Sequence, residues 1–268
     1  MMTNQNSSMT VPKFREAKSA GRKLAVVTAF DSFSGRVAEA AGVDAVLVGD
    51  SLAMVVQGHE TTLQVTLDEM IYHARMTRRA VTNPLLIVDM PFPTYHVSTE
   101  QAITNAARVV QETGCQAVKI EGGVRRADRI KALVQEGIPV MGHVGLTPQD
   151  VHAMGGYNVQ RDRAKLLEDA RAVEESGAFS VVLECIPTGL AAEITESLSI
   201  PTIGIGAGPQ CDGQVLVFHD MLGMGEDRPP KHARRYADLS QTATEAVQRY
   251  AEDVRSGGFP DERESFAN

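Results

Sequence analysis

Short runs of Val, Ile, Leu and Ala recur along the chain, each followed by a longer stretch with helical spacing. Leu24–Phe30, Ala45–Gly49, Leu85–Val88, Ala117–Ile120, Val140–Val144, Ser180–Leu183, Thr202–Ile205 and Gln214–Phe218 read as eight strands. They are near-continuously apolar rather than alternating, as expected of strands covered on both faces. Helices are predicted at Lys13–Ala20, Ser32–Ala41, Ser98–Gly114, Arg125–Glu136, Asp162–Ser176, Gly189–Leu198 and Arg235–Arg255. A further helix opens at Thr66 with a capping box to Glu69 and runs to about Val81. Ser51–Thr66 and Leu146–Gln160 fit neither period and read as long loops, which on length alone suggests function.

Strand–helix alternation requires parallel strands joined by right-handed crossovers. Eight such units in a chain of 268 residues predict an α/β fold, a single-domain (βα)8 TIM barrel, with a doubly wound open sheet as the alternative. The expected layout is a mobile N-terminal tail at 1–12, the barrel catalytic domain at 13–255 and a C-terminal tail at 256–268.

The polar residues that follow the strands change this from a fold into a site. They are Asp50, Ser51, Asp89, Lys119, Glu121, His143 and Glu184, and a barrel gathers its C-terminal strand ends around one mouth. Asp50, Asp89 and Glu121 follow three successive strands. Three converging carboxylates repel one another unless a divalent cation sits among them, and hard oxygen donors select Mg²⁺. Each taken alone reads equally well as a helix cap or an arginine partner. Glu184, across the mouth among apolar neighbours, suits a general base or a structural ion pair. Lys119 shares a strand face with Glu121. It serves there to neutralise a substrate oxygen, to form a Schiff base, or only to pair with Glu121. His143, flanked by Gly142 and Gly145, can hydrogen-bond a substrate or be a satisfied core residue. Ser51 offers a hydroxyl and an N–H to an anion. Gly204–Gly208 offers backbone N–H groups to a phosphate or merely a turn, and it lacks the spacing of a dinucleotide loop.

Charge and cysteine content exclude several classes. Lys and Arg number 26 against 34 Asp and Glu, a formal charge of −8 without a basic cluster. That argues against nucleic acid and against a polybasic membrane surface as partner. Cys115, Cys185 and Cys211 are odd in number and widely spaced, as expected of reduced thiols in a cytoplasmic protein. No apolar run approaches the ~20 residues of a membrane span, and the polar start of the chain lacks a signal-peptide core.

With those residues in place, the chain resembles the ketopantoate hydroxymethyltransferase family. The resemblance rests on Val48–Ser51, Asp89–Phe92, Val118–Gly122, Gly142–Gln149, Pro201–Gly208, Cys211–Val217 and Asp220–Gly223, and extends from about residue 11 to 255. Phe30 stands where the family often has Tyr, and Arg161 where Gly is common. The resemblance implies Mg²⁺-dependent transfer of a one-carbon unit from 5,10-methylenetetrahydrofolate to 3-methyl-2-oxobutanoate, through a Mg²⁺-stabilised enolate, giving 2-dehydropantoate for pantothenate biosynthesis. It also implies a homodecamer and kinship with the phosphoenolpyruvate mutase and isocitrate lyase barrels. Onto this scheme fall Asp50 and Asp89 as metal ligands, and Glu121 as a ligand either direct or through water. Glu184 is the base, and Lys119, Ser51 and His143 hold substrate oxygens together with the metal-bearing Asp50 and Asp89. The folate-binding residues are not placed. The rivals are an oxo-acid lyase or mutase of the related barrels and a non-catalytic oxo-acid-binding barrel.

Overall fold

The computed structural model describes residues 8–225 and 230–266. Its strands are β1 (Leu24–Thr28), β2 (Ala45–Val48), β3 (Leu85–Asp89), β4 (Ala117–Glu121), β5 (Val140–Gly145), β6 (Ser180–Glu184), β7 (Thr202–Ile205) and β8 (Gly213–Leu216). Each pairs in parallel with the next, and β8 returns to β1 with Leu24 opposite Gly213, so the sheet closes. The (βα)8 barrel is present and the open-sheet alternative is excluded.

Residue parity explains why these strands make a barrel. One buried cluster draws Leu24 and Val26, Ala45 and Leu47, Leu85 and Ile87, Ala117, Met141, Val182, Ile203 and Val215 from all eight strands. Alternate side chains from every strand meet in one place only inside a closed sheet. Phe14 and Ala17 join the cluster from helix Val11–Ser19, with the Phe14 ring edge-on to Phe179 at 5.6 Å. They form its floor. The intervening positions, among them Val46, Val48, Leu86, Val88, Val118, Ile120, Val181 and Leu183, are fully buried too. Both faces are therefore dry, which is why the runs read as continuously apolar.

Local chemistry fixes the helix ends. Thr66 and Glu69 form the expected capping box, and Ser98 caps helix Thr99–Thr113, which Gly114 ends in a left-handed conformation. Each cap contributes about 1 kcal/mol. Helix Leu67–Arg78 stops short of Val81, with Ala80 N–H turning back to Thr77 O, and beyond it the Glu39 carboxylate accepts from the N–H groups of Thr82 and Asn83. The first helix starts at Val11, where the Thr10 hydroxyl accepts from Lys13 N. Within the expected N-terminal tail, residues 1–7 lie outside the described residues. Met9 N–H donates to Asn83 O at 2.7 Å, so residues 9–12 are tied to the barrel. The two long loops hold short helical turns, at Leu52–Val55, Thr62–Gln64 and Pro148–Asp150.

The chain forms two compact units that divide after Phe218. The first is the barrel. The second contains helix Leu239–Ser256, capped by Asp238 and ended by Gly257, so the last helix of the expected 13–255 domain lies in this second unit. Residues 256–266 of the expected C-terminal tail include Phe259, whose ring meets Tyr250 edge-on at 5.5 Å. Residues 267 and 268 lie outside the described residues.

Candidate active site

The parity that fills the barrel floor also builds its mouth. Continuing each inward series by one or two steps brings in Asp89 on β3, Lys119 and Glu121 on β4, His143 on β5 and Glu184 on β6. Register places Asp89 opposite Lys119 and Glu121 opposite His143. The Lys119 ammonium lies 3.0 Å from Asp89 Oδ1, 3.8 Å from Glu121 Oε1 and 3.2 Å from His143 Nδ1. His143 Nδ1 faces Glu121 Oε1 at 3.4 Å, and its Nε2 faces Glu184 Oε2 at 3.1 Å. Asp50 falls just beyond β2, where its N–H donates to Asp89 Oδ2 at 3.0 Å. Six of the seven residues singled out by sequence thus form one line of contacts.

Ser51 stands beside that line. It is only partly buried, and a Cβ built on Gly49 would meet its Oγ at 2.9 Å and Asp89 Oδ2 at 3.5 Å. Glycine at 49 leaves room for the Ser51 hydroxyl beside the turn. Gly204–Gly208 has a different use. A Cβ on Gly208 would come within 2.6 Å of Thr188 Oγ1, and Gly206 and Gly208 both have positive φ. These glycines serve turning and close packing.

Burial sharpens the electrostatics. Asp50, Asp89, Lys119, Glu121 and His143 are all buried, while the Glu184 side chain keeps 15% of its surface open. Burial pushes the Asp50 carboxyl well above its usual range, and the Asp89 and Glu121 charges add to the rise. Burial also raises Asp89, although Lys119 opposes it. Burial works to raise Glu121 as well, but His143 and Lys119 outweigh it and hold that carboxyl low. For Lys119, burial favours the neutral amine, and the surrounding Asp89, Glu121 and Asp50 carboxylates reverse this and keep it an ammonium. A protonated lysine is a poor Schiff-base nucleophile, so charge neutralisation is its better-supported role. Burial and Lys119 push His143 down, yet Glu121 and Glu184 lift it to about 9.

The donor set suits a divalent cation. Four carboxylates surround one lysine and one histidine, and burial pushes the Asp50 and Asp89 carboxyls upward despite Lys119. Asp89 Oδ1 and Glu121 Oε1 are buried without a well-aligned hydrogen bond. Among the described residues no three His, Cys, Asp or Glu side chains are spaced to close a shell around a metal. An ion that takes one or two carboxylates and completes its shell with substrate oxygens and water, as Mg²⁺ does, would suit such a donor set.

Three residues escaped the sequence reading. Gln149, in the turn Pro148–Asp150, donates from Nε2 to Asp50 Oδ2 at 2.9 Å and from its backbone N–H to Glu121 Oε2 at 3.0 Å. Tyr95, fully buried, donates its hydroxyl proton to Gln149 Oε1 at 2.7 Å and accepts from Glu121 N at 3.2 Å. Tyr157, in the second long loop, reaches Met54 in the first, with its hydroxyl 3.6 Å from the sulfur. Gln149 ends the Gly142–Gln149 stretch, which was the one available signal; the two tyrosines carried none. Next to Glu184, Cys185 holds a positive φ of 49°, a strained conformation for a residue with a side chain.

Comparisons with known proteins bear on the family and the fold. A family model described as "Ketopantoate hydroxymethyltransferase" matches residues 8–262. A 3-methyl-2-oxobutanoate hydroxymethyltransferase of Pelobacter propionicus is 53% identical over 268 residues, covering 99% of this chain and 100% of that one. Its counterpart from Trichlorobacter lovleyi is 54% identical over 262 residues, covering 97% and 98%. Among solved structures, a 2,3-dimethylmalate lyase of the PEP mutase/isocitrate lyase superfamily aligns with a TM-score of 0.61 at 20% identity, covering 95% and 91%. A phosphonopyruvate hydrolase in complex with oxalate and Mg²⁺ aligns at 0.62 and 14% identity, covering 97% and 92%. At such identities these two speak for the barrel alone. The family model and the half-identical relatives span nearly the whole sequence, and on that evidence the chain belongs to the ketopantoate hydroxymethyltransferase family.

Proposed function

We propose that the chain transfers a hydroxymethyl group from 5,10-methylenetetrahydrofolate to 3-methyl-2-oxobutanoate, giving 2-dehydropantoate for pantothenate biosynthesis. The observation that carries this reading is the unbroken line from Asp50 and Asp89 through Lys119, Glu121 and His143 to Glu184, in a chain of this family. Asp50 and Asp89 would hold Mg²⁺, with Glu121 reaching it through water because Lys119, His143 and Gln149 already engage that carboxylate. When bound, the ion supplies positive charge beside the keto and carboxylate oxygens of the oxo acid.

The side chains do the rest. Glu184, the most open of the four carboxylates, takes the proton from C3. His143 orients it through the 3.1 Å contact. Lys119, Ser51 and His143 hold the substrate oxygens and balance charge as C3 becomes nucleophilic. Water adds to the methylene carbon of the folate and both its C–N bonds break, releasing tetrahydrofolate and a formaldehyde unit. C3 adds to that carbonyl carbon, and the carbonyl oxygen takes back the proton held by Glu184 to become the hydroxyl. A lyase or mutase reading gains no specific support. Cys115 and Cys211 are buried, and burial with the neighbouring Glu184 pushes the Cys185 thiol up to about 11. A binding-only barrel would use Glu184 only as a partner of His143. The reading also takes the enzyme to be a cytoplasmic homo-oligomer, decameric as the family resemblance implies, which sedimentation checks. Among the described residues no helix is long and apolar enough to cross a membrane.

The test is formation of 2-dehydropantoate from the oxo acid with Mg²⁺, with and without the folate donor. Product that requires both supports the reading. Turnover without the donor, or cleavage of a larger oxo acid, contradicts it. Asp50→Ala is expected to abolish metal-dependent oxo-acid binding, and unchanged binding would remove Asp50 from the metal set.

A further inference from the structure

Asp89 and Glu121 each face a cationic side chain, but Asp50 has no ion pair among the described residues. Its side-chain partner is an amide, Gln149, at 2.9 Å. That amide is committed at every polar atom. One N–H of Nε2 goes to Asp50 Oδ2 and the other to Met90 O at 3.0 Å, while Oε1 accepts from Tyr95 OH at 2.7 Å. A primary amide has two N–H donors, so Gln149 has none to spare. The Met90 carbonyl can only accept, which also fixes which end of the amide is nitrogen. The Gln149 backbone N–H holds Glu121 Oε2, and Glu121 N–H in turn donates to Tyr95 OH. Gln149 and Tyr95 are both buried, so water does not compete for these bonds.

We infer that Gln149, locked by Tyr95, is the residue that positions Asp50 for the divalent cation. It aims the carboxylate by donating to one oxygen. Being neutral, it leaves the negative charge of Asp50 for the ion, where a lysine at that point would cancel it. The same residue ties the second loop to Glu121, so the turn Pro148–Asp150 and the two acidic strand ends are fixed as one piece. Neither Gln149 nor Tyr95 touches substrate in this scheme. Both are positioning residues, and the inference rests on Asp50 being a metal ligand as read above.

The experiment is Mg²⁺ titration by calorimetry in the presence of 3-methyl-2-oxobutanoate, on wild type, Asp50→Ala, Gln149→Leu and Tyr95→Phe, each checked for folding by circular dichroism. Loss of a hydrogen bond that orients a metal ligand typically weakens metal affinity about 10–100-fold. Gln149→Leu is expected in that range, with the C3 proton-exchange rate at saturating Mg²⁺ close to wild type, a split that a merely structural defect does not give. Tyr95→Phe is expected to weaken Mg²⁺ binding less, and to add nothing when combined with Gln149→Leu. Wild-type Mg²⁺ affinity in a folded Gln149→Leu overturns the inference. If that variant does not fold, wild-type affinity in Tyr95→Phe overturns it instead. Wild-type affinity in Asp50→Ala is the separate result that overturns the underlying reading of the metal site.

Discussion

A buried ion-pair network holds only while its charges balance, and removing one partner strands the others. Lys119 stands between Asp89 and Glu121 with its side chain only 6% exposed. Lys119→Met is therefore expected to cost about 3–5 kcal/mol by denaturant unfolding. A loss below about 1 kcal/mol would show that the lysine is not what neutralises the pair. Asp50 gives the opposite sign. Its folded value is raised, so in metal-free protein its ionisation opposes folding, starting above its unfolded value of about 3.9 and growing as pH rises through the folded one. Metal-free Asp50→Asn is expected to melt about 2–4 °C above wild type at neutral pH, with no advantage in acid, and Mg²⁺ with oxo acid should restore the lead to wild type. His143 is raised to about 9, so its charge stabilises the fold fully below the unfolded value of about 6.5 and ceases to do so as pH rises through about 9. The stability gap between wild type and His143→Gln should close across that window. All seven strand-end residues were legible in the sequence because each follows an apolar run. Gln149 and Tyr95 were not, because their roles come from where a loop folds back, and no periodicity encodes that.

At the scale of elements, the edge that carries Glu184, the base of the proposed reaction, depends on β5 and β6 meeting closely. Gly145 lies opposite Glu184 in the register, has φ +98°, and a Cβ there would stand 2.3 Å from Glu184 O. Gly145→Ala carries both backbone strain and a backbone clash, of order 1–3 kcal/mol each. The variant is expected to lose C3 proton exchange more severely than Mg²⁺ binding, because the displaced residue is Glu184 and not Asp50. Equal losses would argue that the strand pair is not what positions the base. Strands were readable from their apolar runs and helices from their caps. The short helix Leu52–Val55 and the turns in the two long loops were hidden, since four residues or fewer show no helical period.

At the scale of the molecule, the barrel separates two jobs. Its apolar floor, closed by Phe14, supplies rigidity, and its mouth concentrates acidic groups that a bound cation would relieve. Ligand that binds only the folded state adds about 2.7 kcal/mol when present at 100 times its dissociation constant. Mg²⁺ with the oxo acid should accordingly raise the melting temperature of wild type and leave Asp50→Ala unmoved. The closed barrel was legible from strand count and alternation, whereas the division after Phe218 was not, because composition does not change there. The most direct measurement of the whole scheme is deuterium incorporation at C3 of 3-methyl-2-oxobutanoate, followed by NMR in D₂O with saturating Mg²⁺ and no folate donor. Wild type should exchange the proton, and Glu184→Gln should bind metal and oxo acid normally yet exchange at least about 100-fold more slowly. Exchange at the wild-type rate in Glu184→Gln would mean that the proton goes elsewhere.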